Sequence, residues 1–236
     1  MKTHCRALLA AFLTILPLSA QEEGDGLGFL NIVNLIPGKI PADVTLAGKE
    51  LFPGGLKPGS DTGWFMVPVG EKPITIALEQ PDDEEPKIAK ASGKVELEDG
   101  VANVIAIYLQ PDPRLKPDGT PFPPKIRIRS FPAYDGRGFA LRFITTCPSD
   151  NRFQIATKMI DAEPFEPLAI PGWSGAPFDI MRNGKLIGRA TGSSEKASFY
   201  LFVGTNPAGE YVTAMTRSGT QEVPPWMKKE KKPAKP

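Results

Sequence analysis

The chain has 236 residues, with 28 Lys and Arg against 27 Asp and Glu, 26 Pro, 23 Gly and 2 Cys. Balanced charge argues against a nucleic-acid partner, and this density of Pro and Gly favours short strands and turns over long helices. The single histidine, His4, precedes the expected leader cleavage point. The remainder therefore cannot build a Ser-His-Asp or Cys-His site or a His-ligated zinc.

Residues 1–20 read as a signal peptide. Lys2 and Arg6 supply the charged start, Ala7 to Leu18 the apolar core, and Ser19-Ala20 the small-residue cleavage site. The apolar core is too short for a stable membrane span, and no later run approaches 18 apolar residues, so no transmembrane segment is expected. The sequence thus predicts a secreted protein of the periplasm, cell surface or extracellular space. Once the leader is removed, Cys147 is the only cysteine and no intrachain disulfide can form. A small buried hydrophobe is the plain reading of Cys147, and an intermolecular disulfide is the alternative.

Phe29 to Ile36 reads as a first strand. Pro41 to Leu46 alternates, with Val44 and Leu46 on one face and Asp43 and Thr45 on the other. Ala47-Gly48 supplies a tight reversal. Trp64 to Val69 and Ile74 to Leu78 are further strands, divided by the turn 70–73. Val44, Leu46, Phe65, Val67, Val69, Ile74, Ile76, Val104 and Ala106 are expected in one core. Asp82, Asp83, Glu84 and Glu85 form an acidic loop. Val101 to Leu109 is the most apolar run after the leader and is expected at the centre of a sheet.

Six prolines within residues 111–124 predict an extended inter-domain linker. Lys125 to Phe131 alternates Arg127 and Arg129 with Ile126 and Ile128. Phe139 to Cys147 is another strand, and residues 151–160 are ambiguous between strand and short helix. Residues 226–236 carry five Lys, one Glu and two Pro, a composition expected to be disordered.

Residues 36–78 recur in degraded form at 170–215. Ile36-Pro37-Gly38 returns as Ile170-Pro171-Gly172, Asp43-Val44 as Asp179-Ile180, Gly48-Lys49 as Gly184-Lys185, and Val69-Gly70 as Val203-Gly204. The expected fold is all-β: two antiparallel immunoglobulin-like β-sandwich domains, 27–110 and 125–220, joined by the Pro-rich linker and followed by a disordered tail at 221–236. The second core is expected to hold Ile180, Phe199, Leu201 and Val203. The second copy shows no closing hairpin after Met215, so the strands at 125–147 are expected to complete it.

Asn34, Pro37, Asp43-Val44, Gly48-Lys49, Gly63-Trp64-Phe65 and Gly70 carry a pattern. On it, the chain resembles a family of bacterial secreted β-sandwich domains of unknown function. The likeness is clear over 27–110, where residues 94–109 resemble that family's closing hairpin, and weaker over 165–220. It implies a sandwich fold and brings no catalytic residues.

Several fragments bear on chemistry. Ser193 to Lys196 fits S-x-x-K and Ser149-Asp150-Asn151 fits S-D-N, but their order is reversed from the penicillin-binding class and K-T-G is missing. Two polar turns are the simpler reading. The acidic cluster 82–85 lacks the calcium-loop pattern. Arg127, Arg129, Arg137 and Arg142 are a basic face for anionic glycans or a solvated strand face. Trp64, Met66, Tyr200 and Phe202 form an aromatic strip for sugar stacking or for packing between domains. No catalytic, cofactor-binding or metal residue is assigned and no cofactor is implied. The expectation is an exported, non-catalytic structural or binding protein whose candidate partner is a cell-envelope polymer or protein. The alternative is a carboxylate-dependent hydrolase or a carbohydrate-binding accessory protein.

Overall fold

The computed structural model describes residues 26–80, 87–134, 138–149 and 151–218. The expected leader at 1–20, the acidic residues 82–85, Arg137, Asp150 and the Lys-rich residues 226–236 lie outside the described residues. Every regular element described is a strand, and no helix there is long and apolar enough to cross a membrane.

The first eight strands are β1 (Leu27–Asn34), β2 (Asp43–Leu46), β3 (Lys49–Glu50), β4 (Phe65–Pro68), β5 (Gly70–Gln80), β6 (Lys87–Leu97), β7 (Ala102–Gln110) and β8 (Lys125–Pro132). They make two sheets, in the orders β3-β2-β5-β6 and β4-β1-β7-β8. The next eight are β9 (Ala140–Thr145), β10 (Arg152–Ile155), β11 (Lys158–Asp161), β12 (Leu168–Ala169), β13 (Phe178–Arg182), β14 (Lys185–Ala190), β15 (Ser198–Thr205) and β16 (Tyr211–Arg217). They repeat the plan as β11-β10-β13-β14 and β12-β9-β15-β16.

Each sheet buries one face against its partner, as amphipathic strands require. Leu30, Ile32, Val44, Ile74, Ile76, Leu97, Ile105 and Ile107 fill the first sandwich. Leu141, Phe143, Phe153, Ile155, Ile180, Leu201 and Val203 fill the second. A third apolar layer, with Val33, Leu35, Val104, Ala106, Phe131, Ile144, Tyr200 and Phe202, joins the two. The molecule is therefore four sheets deep. β1, β7 and β15 are buried on both faces, which explains why their sequences are nearly continuous apolar runs.

Polar groups close the junction between the sandwiches. Asn31 Nδ2 donates to Thr216 Oγ1 at 2.7 Å, and Thr216 Oγ1 also bonds Asp61. Tyr200 donates to Pro132 O at 2.7 Å and Tyr134 to Phe199 O at 2.5 Å. At Gly204 a side chain would overlap the Leu35 carbonyl, so the backbones meet there with no room to spare.

The two-sandwich reading holds in outline, with five corrections. First, β8 pairs with β7, Ile107 opposite Ile128, so 125–132 belongs to the first sandwich and 111–124 is a loop inside it. Ile126 is buried in the first core, which is why the Ile/Arg alternation serves that sandwich. Second, the neighbouring pairs β1–β7 and β9–β15 are parallel. Third, β16 closes the second sandwich on β15, and 152–161 is the β10–β11 hairpin.

Fourth, the repeat has a different register. Leu35 N donates to Ile107 O at 2.8 Å, as Thr146 N does to Val203 O at 2.9 Å. Ile36 N donates to Asn34 Oδ1 at 2.9 Å, as Cys147 N does to Thr145 Oγ1 at 3.0 Å. Residues 43–46 of β2 thus correspond to 152–155 of β10, and β13 corresponds to β5. The turns at 47–48 and 183–184 do share geometry. Ala47 and Gly48 have φ of 49° and 78°, Asn183 and Gly184 have 50° and 73°, and both pairs form two-residue hairpin loops. Matching turns slid the alignment from one hairpin to another. Fifth, Val104 and Ala106 lie in the shared layer, Phe65 is only half-buried beside the first core, and Val69 is half-buried.

Candidate functional site

β6 and β8 are the edge strands of the two facing sheets in the first sandwich. Gly93 lies opposite Ile74 in the β5–β6 ladder. A Cβ built there would come within 2.7 Å of Ile128 Cδ1, so the missing side chain lets Ile128 of β8 reach across and pin the two edges together. On either side of this pin the edges part. One cavity of about 550 Å³ has Ile74, Ile76, Ala89, Ala91, Ile126 and Ile128 as its floor. A second, of about 320 Å³, is lined by Val95, Val101, Ile105, Lys94 and Arg129 among others.

The Pro-rich loop walls the larger cavity with Phe122, Pro123 and Pro124. Proline fixes φ, so the loop is stiff before anything binds. Asp112 latches its base. It accepts from the Arg114 backbone N at 3.1 Å, Nε at 2.9 Å and Nη2 at 2.7 Å, and pairs with Lys125 at 3.3 Å. These donors, Arg114 first, hold its carboxyl well below the usual carboxylate range. The Arg114 guanidinium lies 5.2 Å from the Phe122 ring centroid.

Among the described residues the rim of the larger cavity is cationic: Lys90, Arg114, Lys125 and Arg127 line it, with Asp112 as the one acidic residue. Arg127 Nε donates to Gln110 Oε1 at 2.9 Å. The lining also contains consecutive residues, 89–92 of β6 and 125–128 of β8. Successive side chains of a strand point to opposite faces, so a run of four means that the backbone edge itself faces the cavity.

The second sandwich carries the same pin. Gly188 lies opposite Ile180, as Gly93 lies opposite Ile74, and a side chain there would overlap Thr213 of β16. Here β14 spans only six residues, against eleven in β6.

The residues weighed from sequence fall elsewhere. Ser193 forms a local turn, its Oγ accepting from Glu195 N at 3.1 Å. Ser149 lends its carbonyl to Arg182. Arg127 and Arg129 lie on β8, Arg142 on β9 stacks 4.0 Å from the Tyr134 ring, and Arg137 is outside the described residues. Trp64, Tyr200 and Phe202 pack in the shared layer, as domain packing required, and Met66 is 41 % exposed. Cys147 is fully buried, which removes the intermolecular disulfide. Burial raises the pKa of Tyr108, Tyr134 and Tyr200, that of Tyr134 to about 12. Among the described residues no cluster of His, Cys, Asp or Glu could hold a metal ion. The groove was missed, although a glycine inside a strand, Gly93, was its available signal.

No protein-family model matches the chain, and no curated protein matches it.

Proposed function

We propose that the protein is an exported, non-catalytic binding protein and that its ligand lies in the groove between β6 and β8. The carrying observation is the larger cavity itself: an apolar floor under a rim of four cations and one already neutralised carboxylate. A volume of about 550 Å³ is in the range that holds specific ligands. The leader-like residues 1–20 support export. The resemblance over 27–110 to secreted β-sandwich domains supports a binding or structural role in the cell envelope.

A carboxylate hydrolase has less support. It needs a carboxylic acid able to donate a proton. Among the described residues the only carboxylate lining the larger cavity, Asp112, is held ionised by Arg114 and Lys125. The test compares wild type with the double variant Lys90→Glu, Arg127→Glu after incubation with envelope extract, using native mass spectrometry. Wild type should retain a bound species that the variant loses. Equal retention by both, or turnover in a glycosidase and esterase panel, would overturn the proposal.

A further inference from the structure

We infer that the groove takes an extended acidic segment of another polypeptide, added as a strand on the free edge of β6. This rests on the binding role proposed above and names the ligand class. Three features of the larger cavity point the same way. Its walls include backbone edges, at 89–92 and 125–128. An edge strand's N–H and C=O groups need partners, which an incoming backbone supplies and a hydrocarbon chain does not. Its floor is apolar and the neighbouring β6 side chains are small, Ala89 and Ala91, leaving space for alternate side chains of a docked strand. Its rim is cationic. Asp112 is committed to Arg114 and Lys125, and no carboxylate among the described residues pairs with Lys90 or Arg127. Acidic side chains on the outward face of the segment would complement Lys90, which alternates with Ala89 and Ala91 and so lies on that face of the extended sheet.

Strand addition on β6 extends the sheet β3-β2-β5-β6 by one position. The Gly93–Ile128 pin limits its length. Residues 89–92 cover about 13 Å at the usual rise per strand residue, so about four or five residues of the partner dock at once. Stiffness of the Pro-rich wall lowers the ordering cost on this side of the interface.

The experiment uses a synthetic decapeptide alternating aspartate and valine, titrated into the full chain at low and high salt. Two further peptides carry N-methyl groups on alternate amides, one set on each edge of the extended peptide. The expected result is saturable, salt-sensitive binding to wild type. Binding weakens at least tenfold in the Lys90→Glu, Arg127→Glu variant, whose melting temperature confirms that it is folded. N-methylation of one edge should abolish binding and methylation of the other should leave it nearly unchanged. That asymmetry is specific to pairing with one strand. If both methylated peptides bind like the parent, strand addition is wrong. Laurate is the comparison ligand. If laurate binds, is lost in the double variant, and the peptide does not bind, the groove is an amphiphile site: the ligand class falls and the binding role stands. If neither binds, both proposals fall.

Discussion

Gly93→Ala and Gly188→Ala are the same substitution at equivalent positions, and the structure assigns them different costs. Neither glycine has a left-handed φ, so alanine is allowed by the backbone at both. Replacing glycine in the unfolded chain alone gains about 0.4–1 kcal/mol at a compatible site. At position 188 the new Cβ overlaps Thr213 Cγ2 and lies 2.5 Å from Oγ1 and 2.9 Å from Cβ. Rotating Thr213 moves the first two atoms but not its Cβ, so β14 and β16 must separate. Overpacking costs about 1–3 kcal/mol, and a clash with a Cβ that no rotamer relieves falls in the upper half of that range, leaving a net loss of roughly 1–2.5 kcal/mol. At position 93 the close neighbour is Ile128 Cδ1, at 2.7 Å, with Cγ1 already at 3.5 Å. That terminal methyl can swing into either flanking cavity, and the net change should stay within about 0.5 kcal/mol. Thermal and urea unfolding measure both. A loss of roughly 1–2.5 kcal/mol corresponds to a melting shift of about 2–10 °C in a chain of this size. If Gly93→Ala proves as damaging as Gly188→Ala, the gap between β6 and β8 is not open space and the reasoning fails.

Phe202 is fully buried in the shared layer, with ring centroids 5.5 Å from both Phe131 and Tyr200. Phe202→Ala should cost about 3–5 kcal/mol while the chain still melts in one transition; two separated transitions in wild type would contradict a shared layer. Proteolysis after Lys116 should leave the two pieces associated on a native gel, because β8 stays paired with β7. Tyr134 has its pKa raised to about 12, first by burial, so the neutral phenol is favoured by folding. Its contribution is complete below pH 10 and is lost as pH rises from 10 to 12. Tyr134→Phe should flatten that part of the stability–pH curve and remove the bond to Phe199 O, costing about 1 kcal/mol at neutral pH. Asp112 behaves oppositely. Its depressed pKa keeps the loop latched as pH falls past the ordinary carboxylate value. Asp112→Asn should loosen 111–124 to protease and tighten the acidic decapeptide by raising the rim charge.

Strand periodicity in the sequence reached the fold class and many of the faces. Val44 and Leu46 alternate into the first core, and Ala47-Gly48 makes the expected reversal. β7 is central because it is apolar on both faces. What stayed hidden was pairing. Alternation in Lys125 to Phe131 says that one face is buried, but not which sheet buries it. Turn residues recur at every hairpin of a chain like this, so they align one hairpin with its neighbour as readily as with its true equivalent. The groove was illegible for a related reason. It arises from the divergence of two strands that are about 30 residues apart in sequence, and only Gly93 marks the place where they touch.

The shared layer also makes each half depend on the other. The sheets that meet there use equivalent faces: Val33 corresponds to Ile144, Val104 to Tyr200 and Ala106 to Phe202. Like faces of the two repeats thus meet, as they do across an isologous dimer interface. A single unit, freed from its mate, would expose a whole apolar sheet face and be driven to self-associate. The halves are not interchangeable in that role. Small Val104 and Ala106 come from one half, and bulky Tyr200 and Phe202 from the other. Two copies of the second half would crowd four aromatic rings into a layer that now holds two at these positions, and two copies of the first would leave it underfilled. This division of volumes makes each half the complement of the other and covers both apolar faces within one molecule.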